Sequence, residues 1–138
     1  MCDRVIITGG NGFIGRSMVE YFLSQNVKIV SIGRQSQSVI SHKNLTYVQC
    51  DLNDFAKLKK MIPKRKYDTF IHLAWEGSYG EKQKDWSIQK NNILLTMKCL
   101  ELASQLGCAR FLCAGSLHEY ETEYSTHYVA ELPKQSNI

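Results

Sequence analysis

With 138 residues, 43% of them hydrophobic and 22% charged, the chain has the size and composition of one soluble globular domain, long enough to bury a core and short for a two-domain enzyme. Its net charge of +4 is modest and gathers in Lys57, Lys59, Lys60, Lys64, Arg65 and Lys66, a run without interleaved aromatics that reads as a solvated helix end, so no nucleic-acid partner is expected. No apolar run approaches the roughly 18 residues that span a bilayer, no signal-peptide core opens the chain, and Cys2, Cys50, Cys99, Cys108 and Cys113 lack Cys-x-x-Cys or paired-histidine spacing: a cytoplasmic protein with reduced thiols is expected, with no membrane partner, disulfide frame or metal.

Arg4, Val5, Ile6, Ile7 and Thr8 form a β-branched run that meets Gly9, Gly10, Gly12 and Gly15, and the apolar positions Ile14, Met18, Tyr21 and Phe22 recur at helical spacing. The order is strand, tight turn, helix. Gly9 and Gly12 are able to take positive φ or bring a ligand close to the backbone, while Gly15, one turn into the helix, lets the helix lie near its strand. Free N–H groups and the helix dipole then face whatever anion sits at the turn. The alternative is a βα turn with no ligand, but four glycines at one junction exceed what a turn needs.

Thr8-Gly9-Gly10-Asn11-Gly12-Phe13-Ile14-Gly15 resembles the TGGxGFIG fingerprint of the extended short-chain dehydrogenase/reductases, which include the nucleotide-sugar epimerases and dehydratases. The resemblance implies that Gly9, Gly12, Phe13, Ile14 and Gly15 hold the pyrophosphate of NAD(P).

Residues 27–32 read as a second strand ending at Gly33 and Arg34. An acid at this place binds the ribose 2′-hydroxyl of NAD, whereas an arginine accommodates the 2′-phosphate of NADP. With no acid on offer, Arg34 favours NADP; its other reading is an exposed cation in a polar loop over residues 35–44. Residues 45–50 form a third strand, followed by Asp51 and Leu52. Asp51 is a candidate cap for the helix that begins near Asp54, and in the resembled family an Asp-Leu pair here contacts adenine.

The helix over residues 54–62 stops before Pro63, and residues 67–74 supply the fourth strand. Its end, His72-Leu73-Ala74, is similar to the family's HLAA segment, which implies that Leu73 and Ala74 line the inner ribose. His72 reads as a core histidine rather than a catalyst. Trp75 and Glu76 open a glycine- and aromatic-rich loop at the carboxyl end of a strand, either facing substrate or packing Trp75 on the sheet. The longest helix covers residues 85–106, with Ile93, Met97, Leu100 and Ser104 on its expected apolar face and Leu94 and Ala103 widening it. Residues 92–103 resemble the family's N-x-x-G-T-x-x-L-L-E-A-A helix, which places Asn92 among the cofactor-binding residues as a polar anchor near the active site.

Gly107 ends that helix, and residues 109–114 form a fifth strand delivering Ser116. The family carries its catalytic serine or threonine here, implying that Ser116 hydrogen-bonds the reacting oxygen of a sugar. The family's base, a tyrosine in Tyr-x-x-x-Lys, has no counterpart: Tyr120, Tyr124 and Tyr128 are followed four residues later by Tyr124, Tyr128 and Leu132. A free tyrosine with a pKa of about 10 is a poor base without such a lysine.

The expectation is an α/β chain with a Rossmann-type doubly wound parallel sheet in strand order 3-2-1-4-5, residues 1–138 being an NAD(P)-binding domain truncated before the Tyr-x-x-x-Lys helix and the substrate domain. The resemblance implies the cofactor half of a nucleotide-sugar epimerase/dehydratase or reductase, inactive by itself. The competing reading is a non-catalytic dinucleotide-binding module or interaction protein. An unpaired edge at the fifth strand predicts a homo-oligomer.

Overall fold

Parallel strands covered on both faces must be apolar almost throughout, and Val5, Ile6 and Ile7 meet that condition with no exposed surface at all. The computed structural model describes residues 3–116. Strands β1 (Arg4–Thr8), β2 (Lys28–Gly33), β3 (Leu45–Gln49), β4 (Thr69–His72) and β5 (Arg110–Cys113) form one parallel sheet in the expected order β3-β2-β1-β4-β5. Helices α1 (Phe13–Ser24), α2 (Phe55–Met61) and α3 (Trp86–Gln105) carry three of the crossovers, and residues 34–44 carry the fourth as a loop.

The helices lie on both faces, which makes the fold a Rossmann-type α/β sheet. Val19 of α1 packs with Val5, Ile7, Ile29 and Ile71 on one side. On the other, Leu58 of α2 and Leu95, Cys99 and Leu102 of α3 pack with Ile6, Val30, Ile32 and Phe70. The chain lays β2 and β3 to one side of β1 and then β4 and β5 to the other, so its winding reverses between β1 and β4. Open α/β sheets take their ligands at the carboxyl ends of the strands beside such a reversal.

Local sequence sets the helix ends. Asp85 caps α3, its carboxylate accepting from the N–H groups of Ser87 at 2.8 Å and Ile88 at 3.2 Å. Gly107, at φ 69°, closes the same helix in the left-handed conformation, and the Cys108 N–H returns to the Ala103 carbonyl at 2.9 Å. The cap of α2 is Asp54, which accepts from the Lys57 N–H at 3.2 Å. Asp51 is therefore not the cap that the sequence offered. It instead closes an Asx turn, accepting from the N–H and the side-chain amide of Asn53 at 2.8 and 2.9 Å.

The apolar face of α3 is also corrected. Asn92, Leu95, Cys99, Leu102 and Ala103 are the buried stripe, while Ile93, Leu94, Met97 and Leu100 are about half exposed. This helix is apolar on more than one side, so its periodicity alone cannot choose the face that meets the sheet. Among the described residues no helix is long and apolar enough to cross a membrane. Cys2, Tyr120, Tyr124 and Tyr128 lie outside the described residues.

Candidate cofactor-binding site

The site begins where β1 runs out. The Gly9 N–H bonds the Ile32 carbonyl at 3.0 Å, which ties the turn to β2, and the Gly12 N–H closes back on the Gly9 carbonyl at 2.9 Å. Gly9 has φ 74°, and a Cβ there would stand 2.9 Å from the Ala74 nitrogen. A Cβ on Gly15 would run into the Gly9 carbonyl oxygen and stand 2.8 Å from the Gly10 Cα. Backbone thus packs on backbone on both sides of the turn. Gly12 is the N-cap of α1 and brings no side chain to the first-turn N–H groups, so among the described residues no side chain caps them.

The facing wall is held by buried polar contacts. Thr8 Oγ1 accepts from the N–H groups of Leu73 and Ala74, each at 3.3 Å, and shares a buried hydrogen bond with His72 Nδ1 at 2.8 Å. The other ring nitrogen, Nε2, is buried without a hydrogen-bond partner among the described residues. Burial pulls the His72 pKa from 6.5 down to about 4, so the imidazole is neutral at neutral pH. His72 is a core residue that fixes the strand end.

Beyond Ala74 the loop is clamped by α3. Asn92, buried, donates to the Glu76 carbonyl at 2.8 Å and accepts from the Glu76 N–H at 3.1 Å, serving both backbone groups of one residue as a neighbouring strand would. Gln89 continues the clamp, accepting from the Trp75 indole at 3.0 Å and donating to the Gly77 and Lys82 carbonyls at 3.2 and 3.1 Å. Trp75 stays half exposed rather than sinking onto the sheet. The Glu76 carboxylate stands at the rim of the loop, 3.1 Å from Lys82 Nζ and 3.4 Å from Arg34 Nη1. Lys82 foremost, with Arg34 behind it, holds that carboxyl below its usual range.

These elements enclose an open cleft of about 230 Å³ at the carboxyl ends of the strands. Of the residues singled out in the sequence, Gly9, Gly12, Arg34, Asp51, Leu52, Leu73, Ala74, Trp75, Glu76 and Asn92 all line it. Ligand pockets commonly run from about 300 Å³ upward, so this open cleft is somewhat smaller than a site that encloses a whole ligand. Phe13 and Ile14 turn their side chains to solvent, Gly15 is buried against the turn, and none of the three lines the cleft. Ser116 is exposed beyond the end of β5 and does not line the cleft. A second cavity of about 280 Å³, lined by Arg4, Lys28, Lys43 and Arg65 among others, lies at the amino ends of β1 and β2, away from the glycine turn.

A model of the NAD dependent epimerase/dehydratase family matches residues 5–136. The chain belongs to this family. It is 29% identical over 119 residues to dTDP-6-deoxy-L-talose 4-dehydrogenase (NAD(+)) of Aggregatibacter actinomycetemcomitans, covering 84% of this chain and 42% of that protein. With UDP-glucose 4-epimerase 2 of Arabidopsis thaliana it shares 29% identity over 133 residues, 87% of this chain and 38% of the other. The structure is similar to that of the Bordetella bronchiseptica enzyme WbmH in complex with NAD+, with a TM-score of 0.66 and 26% identity over 79% of this chain and 37% of that one. The chain thus spans about two fifths of the length of these relatives.

Several residues that build the cleft or brace its loops escaped the fingerprint. Asn11, the variable position between the glycines, donates to the Gln37 carbonyl at 2.9 Å and accepts from the Val39 N–H at 3.2 Å, pinning the loop after β2 beside the turn. Asn91 donates to Asn53 at 3.0 Å and joins the rim behind Asp51. Lys82 and Gln89 have no signal in the sequence apart from lying near the Trp75 loop. The polar character of Asn11 within a glycine turn was the one available clue.

Proposed function

We propose that this chain is the NAD(P)-binding half of a nucleotide-sugar epimerase, dehydratase or reductase. The observation that carries the reading is the amino end of α1, uncapped by side chains and joined to β1 through a glycine turn beside the sheet's winding reversal. Such an end is built for a phosphate. Gly9, Gly12 and Gly15 fit the group because a Cβ at each would press on the turn or on the facing wall. In this reading the backbone of Gly12, Phe13 and Ile14 holds the pyrophosphate, Asp51 and Leu52 meet the adenine, Leu73 and Ala74 line the inner ribose, and Asn92 holds the loop over it.

Bound NAD(P) supplies hydride transfer at a sugar carbon, by transient oxidation or net ketone reduction. The chain's own part is orientation, with Ser116 hydrogen-bonding the reacting oxygen. The relatives' names support a nucleotide sugar as substrate: one is a dehydrogenase of a dTDP-deoxysugar, the other a UDP-glucose epimerase. Arg34 grips the 2′-phosphate of NADP if its guanidinium is available, a condition that turns on Glu76. Calorimetric titration of NAD+ and NADP+ tests the proposal. At least one is expected to bind with Kd below about 1 mM, the upper end of ordinary cofactor and substrate affinities; no binding of either contradicts it.

Self-association belongs to the same proposal. Strand β5 is an edge among the described residues, and α3, packed against it, exposes Ile93, Leu94, Met97 and Leu100. Sedimentation velocity at tens of micromolar is expected to show a dimer or larger species, and a strictly monomeric profile refutes it. A cytoplasmic location is consistent with Cys50, Cys99, Cys108 and Cys113 all being free thiols, and recovery of the protein from an oxidising compartment would contradict that placement.

A further inference from the structure

The end of β2 offers a cation and no acid, yet an acid does reach this place from the opposite wall. Glu76 Oε2 stands 3.4 Å from Arg34 Nη1 across the mouth of the cleft, 42 residues away in sequence. Its position is not left to a free loop. Asn92 fixes both the N–H and the carbonyl of Glu76, and Lys82 holds the other carboxylate oxygen at 3.1 Å. Both members of the pair line the cleft in which Gly9 and Gly12 form the phosphate end.

Resting on the cofactor reading above, we propose that Glu76 is the specificity-determining residue for the adenosine ribose, supplying the carboxylate that β2 lacks and selecting NAD over NADP. The chemistry is a competition for one guanidinium. A 2′-phosphate needs Arg34, and to reach it must break the Arg34–Glu76 pair and then lie beside a carboxylate of like charge. A 2′-hydroxyl has no such conflict, since it donates to the carboxylate and leaves the pair in place. The exposure of both side chains makes the pair weak as a source of stability. That weakness does not protect the phosphate from repulsion, because Asn92 holds the Glu76 backbone beside the cleft and Lys82 Nζ, at 3.1 Å, keeps the carboxylate near Arg34.

Titrating NAD+ and NADP+ into the unaltered chain, Glu76→Gln, Arg34→Leu and the double variant tests this by calorimetry. Glu76→Gln preserves the backbone clamp and removes the charge. The unaltered chain is expected to bind NAD+ more tightly. Glu76→Gln should move the ratio of the two dissociation constants at least tenfold toward NADP+, and Arg34→Leu in the same chain should abolish that gain. A ratio that stays within twofold, a preference for NADP+ in the unaltered chain, or a gain that survives loss of Arg34 each overturns the proposal while leaving dinucleotide binding intact. Failure of every form to bind either cofactor overturns the underlying reading, and this inference with it.

Discussion

Gly15→Ala is expected to destabilise the protein by about 1–3 kcal/mol, the usual cost of forcing extra volume into a packed site, and to weaken NAD+ binding at least tenfold. The reason is backbone geometry: the new methyl would collide with the Gly9 carbonyl oxygen and crowd the Gly10 Cα, neither of which is the movable tip of a side chain. Relief requires α1 to back away from β1, which carries its first-turn N–H groups away from the cleft. Gly12→Ala separates binding from folding. Its methyl would stand 3.2 Å from the Gly9 oxygen at an exposed position with φ −74°, a contact relieved by a few tenths of an ångström. Gly12→Ala should therefore unfold near the unaltered chain in denaturant yet still lose at least tenfold in NAD+ affinity, because its Cβ occupies the phosphate's approach. Urea unfolding and calorimetry on both variants check the pair. Undiminished binding by both would remove the turn from the site.

The second large effect is a loss of stability in mild acid. Burial places the folded pKa of His72 at about 4, below its ordinary 6.5. Between those values the unfolded chain binds a proton that the folded chain refuses, so stability rises with pH through this window and is lost as pH falls. The loss expected between pH 6.5 and 4 is on the order of 3 kcal/mol. Asp68, Asp85 and Glu76 act in a different window. Hydrogen bonds from the Arg4 and Asp3 N–H groups hold the Asp68 carboxyl low, bonds from Ser87 and Ile88 do so for Asp85, and Lys82 does so for Glu76. Their contributions are present above the ordinary carboxylate range, up to 4.5, and fade only below it. Chemical unfolding at several pH values checks the sign. His72→Gln, whose amide offers Thr8 both a donor and an acceptor, should flatten the curve above pH 5; where that variant fails to fold, an NMR titration of His72 in the native chain reads the same quantity, and a pKa at or above 6.5 contradicts the account.

Local chemistry was legible from the sequence because its signals are local. The glycine turn, the strand before it and the helix after it are encoded in consecutive residues 4–24, and β-branched runs bounded by polar loops mark the remaining strands. The strand order followed from the resemblance that the glycine motif carried. The face of α3 was misread because Ile93, Met97 and Leu100 form as good an apolar stripe as Leu95, Cys99 and Leu102; contact with Phe70 and the sheet decides between them. Asp51 and Asp54 are both sound cap residues, and only the path of the turn chooses Asp54. The joining of Arg34 to Glu76 and of Asn92 to the Glu76 backbone spans 42 and 16 residues. Such contacts appear only once the sheet has brought β2, β4 and α3 to one cleft, and they leave no periodicity to read.

Everything functional in this account depends on the amino end of α1 gripping a diphosphate at the carboxyl edge of the sheet. The most direct test is to follow backbone amide resonances while NAD+ is added. The largest shifts are expected at Gly9, Gly12, Phe13, Ile14 and Ala74, with smaller ones at Arg34 and Asp51. Shifts centred instead on Arg4, Lys28 and Lys43 at the opposite end of the strands, or no shifts at saturating NAD+, would contradict it.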